Sequence, residues 1–410
     1  MSRWLALRRL AILLTLALVC AVPAAQRGHD EPPILILVSF DGWRWDYIDR
    51  EPAPNLKALA ARGVRATAMI PSFPVLTFPN HYTIVTGLYP EHHGIVGNTM
   101  RDPSLPERFT QSSETAKDEA RWWGGEPLWV TAIRQGRRAA TMFWPGTEAA
   151  IGGVRPSYWK PYDKTFLSPD RVTQVLAWLA LPPVEQPSFV SLYFDEVDTA
   201  GHDFGPDSPE LAEAAGHLDT ALGQLVAGVH GLGLDDRTSI VVVSDHGMTP
   251  LSYGRVIYLD ALIDLSTVDV LEWGGDLHLN PRDGDVERLY RRLHGAHPKL
   301  AIYRRQDVPA RLHFRDNPRI PAIVGIPEDG WTVTSGQRMV EHGIDAGSHG
   351  FEPRTRDVQA VFVAAGPPLR RGLVVAPFEN VDVYDLLCRI LEITPAKNDG
   401  HVSVTRGFFR

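Results

Sequence analysis

Three apolar runs in this 410-residue chain end on acidic residues, and histidines follow two of them. Phe189–Phe194 (FVSLYF) leads into Asp195, Glu196 and Asp198, with His202 four residues beyond Asp198. Residues 239–244 (SIVVVS) lead into Asp245-His246, residues 33–40 (PILILVSF) into Asp41, and His349 stands further along in GSHGF. Carboxylate oxygens mixed with imidazole nitrogens suit zinc, with iron or manganese as alternatives; magnesium and calcium favour oxygen alone. Taken singly, an aspartate after a strand is ordinarily a turn or cap residue, and a lone histidine a satisfied core or surface group. Repetition at three strand ends is what points to a metal site.

A nucleophile is available nearby in sequence. In the stretch 71–81 (PSFPVLTFPNH), Pro79 suits the first helical position, which places Thr77 just before a helix N-terminus. The free N–H groups and dipole there favour an anion such as a phosphoryl group. A threonine hydroxyl attacks only when its alkoxide is stabilised, and a divalent cation does that. By position alone a helix-cap hydroxyl is the favoured reading of Thr77.

Side chains at three strand ends can meet only if the strands lie parallel with their carboxyl ends on one edge, where open α/β sheets bind ligands. Helical patterns at 55–61, 79–88, 169–179 and 209–229 separate the runs, and a strand at 358–364 and a helix at 381–391 follow. The expected class is α/β, a mostly parallel central sheet flanked by helices. From 257 the chain changes to short strands, charged turns and a helix near 285–293, which reads as an inserted cap. The expected organisation is a catalytic domain from 26–256 and 346–410, with a cap at 257–345.

Composition narrows the classes. With 44% hydrophobic and 22% charged residues the chain can bury a core, which excludes disorder and coiled coil. Against 49 acidic residues, 41 basic ones leave no surplus for a phosphate backbone, so duplex nucleic acid is not an expected partner. Two cysteines, Cys20 and Cys388, exclude a disulfide framework. Arg3, Arg8 and Arg9 before an apolar stretch and Val22-Pro23-Ala24-Ala25 read as a signal peptide over 1–25, too short to span a bilayer. Val19 is larger than the residue a lipidated Cys20 would take before it. No membrane anchor is expected, and the absence of an N-x-[ST] sequon leans toward a periplasmic or secreted bacterial protein.

Several separated segments carry a resemblance in the same order. Residues 73–98 (FPVLTFPNHYTIVTGLYPEHHGIVGN), 192–206 (LYFDEVDTAGHDFGP), 244–248 (SDHGM) and 347–351 (GSHGF) resemble the nucleotide pyrophosphatase/phosphodiesterase family of the alkaline phosphatase superfamily. So do 122–132 (WWGGEPLWVTA) and 377–393 (PFENVDVYDLLCRILEI), and the similarity runs from about 34 to 400. The resemblance implies an alkaline-phosphatase-like fold and two zinc ions per chain. One would be held by Asp198, His202 and His349, the other by Asp41, Thr77, Asp245 and His246. It implies that Thr77 is the nucleophile, that Asn98 donates to a phosphate oxygen, and that Phe78 and Tyr193 flank a nucleobase.

The implied activity is hydrolysis of nucleotide phosphodiester or phosphoanhydride bonds to nucleoside monophosphates through a phosphothreonine. A choline-lipid phosphodiesterase or a phosphomonoesterase of the same superfamily is the alternative. A silent metal-binding protein is disfavoured, since a nucleophile would then have no reason to accompany the ligands. A sulfatase is excluded, since it needs Cys or Ser where Thr77 stands. Animal members are disulfide-rich and often carry accessory domains; this chain shows neither. His81, His92 and His93 are not expected to ligate, Trp122 and Trp123 are expected to pack, and Asp195 and Glu196 to serve as turn or cap residues.

Overall fold

The computed structural model describes residues 31–410; the leader at 1–25 and Cys20 lie outside the described residues. The central sheet is built from β1 (Ile34–Phe40), β2 (Val64–Ala66), β3 (Ala139–Met142), β4 (Tyr158–Lys160), β5 (Phe189–Phe194) and β6 (Thr238–Val243). Two later strands complete it. The region between 257 and 345 contributes β7 (Val268–Glu272), β8 (Leu277–Pro281), β9 (Leu300–Arg304) and β10 (Ile323–Pro327) to a second, antiparallel sheet, before β11 (Phe362–Ala365) and β12 (Leu373–Val375) return to the first.

Strand order in the central sheet is β12-β2-β11-β6-β1-β5-β3-β4. Only β11 runs antiparallel to its neighbours there, so the sheet is mostly parallel, as the alternating pattern predicts. β1 lies between β5 and β6 in a register that puts Ser39 opposite both Tyr193 and Val243. The carboxyl ends of the three strands that precede Asp41, Asp195 and Asp245 are thereby level.

Every residue of β1 is buried because both faces of the sheet are covered. Leu35 and Leu37 enter one apolar layer, with Ile84 and Val85 of α2 (Thr77–Thr86) and Leu386 and Leu387 of α7 (Val383–Ile390). Ile36 and Val38 enter the other, with Leu56 of α1 (Pro54–Ala61), Val175 of α3 (Ser168–Leu179) and Leu218 and Leu222 of α5 (Pro209–Gly231). Each such side chain contributes about 1.5–3 kcal/mol on burial, which anchors the strand that carries Asp41. Ser208 caps α5 by accepting from Leu211, and Asp219 of α5 accepts the free N–H groups of Asn55 and Leu56 at the start of α1.

Helix boundaries correct one expectation. Thr77 does not precede its helix but begins it, and Pro79 stands at the third position. The first four N–H groups of a helix have no internal partner, so proline fits anywhere in that turn. The strand expected from 358 starts at Phe362, because Arg356–Val358 forms a 3-10 turn. Within the 257–345 region, α6 (Val286–Leu293) covers a separate apolar cluster that includes Leu277, Leu279 and Ile302.

Gly42, directly after Asp41, is a point where strand ends crowd. It adopts φ +69°, and a Cβ there would stand 2.8 Å from the Asp198 Cα. Gly42→Ala therefore combines left-handed strain with a backbone clash that would push Asp41 and Asp198 apart. It is expected to destabilise the fold by about 2–4 kcal/mol and to lower turnover. Urea unfolding of wild type and variant checks this, and an unchanged midpoint would refute the clash.

Candidate active site

Each side chain of the site is delivered by a separate element to the edge where β1, β5 and β6 end. Asp41 follows β1. Asp198 and His202 lie one turn apart on α4 (Glu196–Phe204), which starts as β5 ends, and Asp245-His246 follow β6. His349 arrives on the chain returning from the 257–345 region, where the Ala346 N–H donates to the His202 carbonyl at 2.8 Å. Two groups result. Ligand atoms of Asp198, His202 and His349 lie within 4.8 Å of one another, and so do those of Asp41, Asp245 and His246. The His246 and His349 rings stack at 3.6 Å between centroids and join the groups. Thr77 Oγ1 lies 3.4 Å from His246 Nε2.

Hydrogen bonding around these residues fits divalent cations. His202 Nδ1 faces the Gly347 carbonyl at 3.1 Å, His246 Nδ1 that of Gly247 at 3.0 Å, and His349 Nδ1 that of Val75 at 2.8 Å. In a neutral imidazole the proton then resides on Nδ1, and the Nε2 lone pair is left for a metal. Asp41 Oδ1, Asp198 Oδ1 and Asp245 Oδ2 are buried with no hydrogen-bond partner. An unpartnered buried carboxylate oxygen is costly, and a cation is what removes the cost.

The electrostatics agree. Burial, and then the charges of Asp245 and Asp198, push Asp41 well above the usual carboxylate range. Burial raises Asp198 as well. Asp245, against its burial, is held well below by the charges of His246 and His81. His202 is pushed up to about 9, because Asp198 and Asp345 outweigh the burial that would lower it. Burial, together with positive charge from His246 and His202, holds His349 well below its usual value. So many carboxylates gathered in low dielectric draw positive charge to themselves.

A cavity of about 690 Å³ opens over the two groups and is lined by Thr77, Phe78, Asn98 and Tyr193. Asn98 Oδ1 accepts the Phe78 N–H at 3.0 Å, so the amide nitrogen is left for a ligand. Phe78 is half-buried against Phe109 and Trp123. Tyr193 is nearly buried, and its hydroxyl donates to Asp41 Oδ2 at 2.6 Å. That bond fixes the ring beside Asp41 on the cavity wall.

Other aromatic and charged walls carry no signal in the sequence. Tyr162, 40% exposed, lines the same cavity, and its hydroxyl donates to Asp195 Oδ2 at 2.8 Å. Asp195, expected as a turn residue, thus holds an aromatic wall in place. Lys117, Lys164, Glu272, Trp273 and Asp276 also face the cavity. None stands in a spacing that marks chemistry, and folding alone gathers them. His81 is engaged elsewhere, its Nδ1 2.9 Å from the Thr77 carbonyl and its Nε2 2.7 Å from Ser39 Oγ. His93 lies against Thr83 Oγ1 and His92 against Asp399, while Trp122 and Trp123 are buried in the core.

Known proteins resemble this chain in sequence and fold. The family described as type I phosphodiesterase/nucleotide pyrophosphatase matches residues 35–352. A pyrophosphatase/phosphodiesterase of Schizosaccharomyces pombe is 38% identical over 384 residues, covering 89% of this chain and 78% of that protein. A venom phosphodiesterase of Crotalus durissus collilineatus is 38% identical over 385 residues, and the chain spans 46% of its length. Murine ectonucleotide pyrophosphatase/phosphodiesterase 5, solved as an inactive threonine-to-alanine form in complex with AMP, superimposes with a TM-score of 0.88 at 32% identity, over 93% of this chain and all of that one. The fold is alkaline-phosphatase-like, and the matches are to phosphodiesterase/pyrophosphatase hydrolases. The chain belongs to the type I phosphodiesterase/nucleotide pyrophosphatase family.

Tyr193→Phe separates two roles for that ring. The variant keeps the aromatic face but removes the donor to Asp41 Oδ2. Groups that orient a ligand from behind change metal affinity by about 10–100-fold. Tyr193→Phe is therefore expected to lose metal to a competing chelator about tenfold more readily, with kcat falling alongside. Unchanged metal retention would return Tyr193 to a stacking role.

Proposed function

We propose that the protein is an exported zinc-dependent phosphodiesterase/nucleotide pyrophosphatase that releases nucleoside monophosphates. One observation carries this: Thr77 Oγ1 stands beside two His/carboxylate groups whose aspartates each hold a buried, unpartnered oxygen. Asp198, His202 and His349 would hold one zinc, and Asp41, Thr77, Asp245 and His246 the other. Two bound zinc ions supply Lewis-acid charge that favours the Thr77 alkoxide and neutralises the leaving oxygen.

The remaining steps belong to the chain. Thr77 Oγ1 attacks phosphorus in line with the departing alcohol or nucleotide phosphate, whose P–O bond breaks as the phosphothreonine ester forms. Water then hydrolyses that ester, and two inversions give net retention. The Asn98 amide donates to a non-bridging oxygen, where a preorganised donor is worth most in the transition state. Phe78 and Tyr162, both on the cavity wall, offer faces for a base. Glu272 and Asp276 reach the same cavity from the 257–345 region, which supports its role as a cap over the cleft.

An extracellular or periplasmic site of action is supported by the leader pattern at 1–25 and by the venom and ecto-enzyme relatives. No described helix is long and apolar enough to cross a membrane.

Metal and nucleophile are separable by experiment. Purified enzyme should contain about two zinc ions per chain and lose turnover to a chelator. Thr77→Ala should keep most of that zinc yet lose about 10³-fold or more in kcat. Active enzyme free of transition metal, or a Thr77→Ala variant at wild-type rate, would overturn the mechanism.

Substrate preference is the second test. A diester brings one negative charge and a second arm, and neutral Asn98 offers no cation to a monoester's extra charge. Nucleotide diesters and nucleoside triphosphates should exceed simple monoesters and choline phospholipids in kcat/KM. Stacking contributes roughly 1–3 kcal/mol per base, so Phe78→Ala should raise KM for a nucleotide at least about fivefold more than for a small aryl phosphodiester. A monoester-to-diester ratio above one would overturn the diesterase assignment. Equal losses on both substrates in Phe78→Ala would remove the base slot alone.

A further inference from the structure

Glu272 is a carboxylate at the cavity wall for which the proposed chemistry has no use. It ends β7 beside a register irregularity, opposite His278 of β8, and its side chain leaves its own sheet. Oε1 accepts the Thr99 N–H at 2.7 Å, and the carboxylate also takes the Asn98 N–H. Approach this close depends on Gly97, where a Cβ would lie 3.0 Å from Glu272 Oε1 and 2.9 Å from the Thr99 carbonyl oxygen.

Contacts then run without a break to the nucleophile. Glu272 holds the backbone of residues 98 and 99. The Asn98 side chain accepts the N–H of Phe78, which follows Thr77 in the first turn of α2. Burial pushes the Glu272 carboxyl up to about 7, and the two N–H groups oppose that rise. Two backbone N–H groups could be satisfied by a neutral oxygen, whereas a partly desolvated carboxylate is the stronger and more directional acceptor. What the carboxylate gains over a neutral group is a firm hold on the loop that carries Asn98.

We propose that Glu272 is a positioning residue: from the 257–345 region it fixes the 98–99 backbone and thereby the Asn98 amide that faces the phosphoryl group attacked by Thr77. This rests on Asn98 acting as the phosphoryl-oxygen donor. A donor displaced by about 1 Å can cost about 10²-fold in rate, and loss of one such donor costs about 10²–10³-fold. The effect of Glu272 must therefore pass through Asn98.

A double-mutant cycle on the zinc-loaded, full-length enzyme tests this, with a nucleoside monophosphate aryl ester as substrate. Glu272→Gln should lower kcat about 10–100-fold in the wild-type background, with little change in KM, and less than about twofold in Asn98→Ala. Zinc content should be the same in all four proteins. Glu272→Asp, which keeps the charge but shortens the reach, should give the same pattern and serves if the Gln variant does not fold. Equal kcat losses in both backgrounds would overturn positioning through Asn98 and leave Glu272 a purely structural contact. Wild-type turnover in Asn98→Ala would overturn the Asn98 assignment and this proposal with it, while Thr77→Ala and the zinc analysis would still report independently on the nucleophile.

Discussion

Three aspartates brought to one edge of a buried sheet are the constraint around which the structure is arranged. Asp41 and Asp245 are buried, Asp198 is partly buried, and each keeps one buried oxygen without a hydrogen-bond donor. Like charges so placed cannot all be ionised in low dielectric unless positive charge sits among them. Three imidazoles approach with their Nδ1 atoms already committed to carbonyls, so that in the neutral rings the Nε2 atoms converge as acceptors rather than donors. A set of acceptors with no donors is a poor hydrogen-bond network and a good cation cage.

The rest of the fold keeps those acceptors from relaxing apart. Parallel pairing of β1 with β5 and β6 sets the strand ends level, and the apolar layers on both faces hold the register, since a one-residue slip would send Leu35 and Ile36 to the wrong sides. Gly42 lets the Asp41 turn approach the start of α4 more closely than any side chain would allow. The Gly42 N–H reaches Asp245 Oδ1 at 3.3 Å, and the Ser244 hydroxyl takes the Trp43 N–H, so the loops after β1 and β6 support each other. Strain and close contact are concentrated where the ligands must not move.

The parts legible in the sequence are those where one local rule suffices. A strand buried on both faces appears as an unbroken apolar run, and its exit to the sheet edge as an abrupt acid, which is how Asp41, Asp198 and Asp245 declare themselves. His202 follows from the helical period. What cannot be read this way depends on distant elements meeting. The hydroxyl of Tyr193 reaches Asp41 only because β5 lies beside β1 in that register, and Tyr162 faces the cavity because Asp195 anchors it from across a loop. Glu272 is 173 residues from Thr99 in sequence, in a region whose short strands and charged turns look like ordinary surface. The start of α2 was misplaced by local reasoning for a different cause, since proline marks a first turn and not one position within it.

Charge around the cavity bears on which phosphates it can hold. Lys117 and Lys164 face Glu148, Asp195, Glu272, Asp276 and Asp345 across the same space, and the Lys117 Nζ lies 3.6 Å from Glu148. Beyond the candidate metal ligands the wall is therefore more acidic than basic. Two like charges about 8 Å apart repel by about 2 kcal/mol at an effective dielectric of about 20. A monoester brings a second charge to the phosphorus itself, where the side chain of Asn98 is neutral. A diester replaces that charge with an organic arm, which the aromatic faces of Phe78, Tyr162 and Trp273 can accommodate. Repulsion from the walls would thus act in the same direction as a neutral donor at Asn98, and the proposed preference for diesters rests on the cavity as a whole rather than on Asn98 alone.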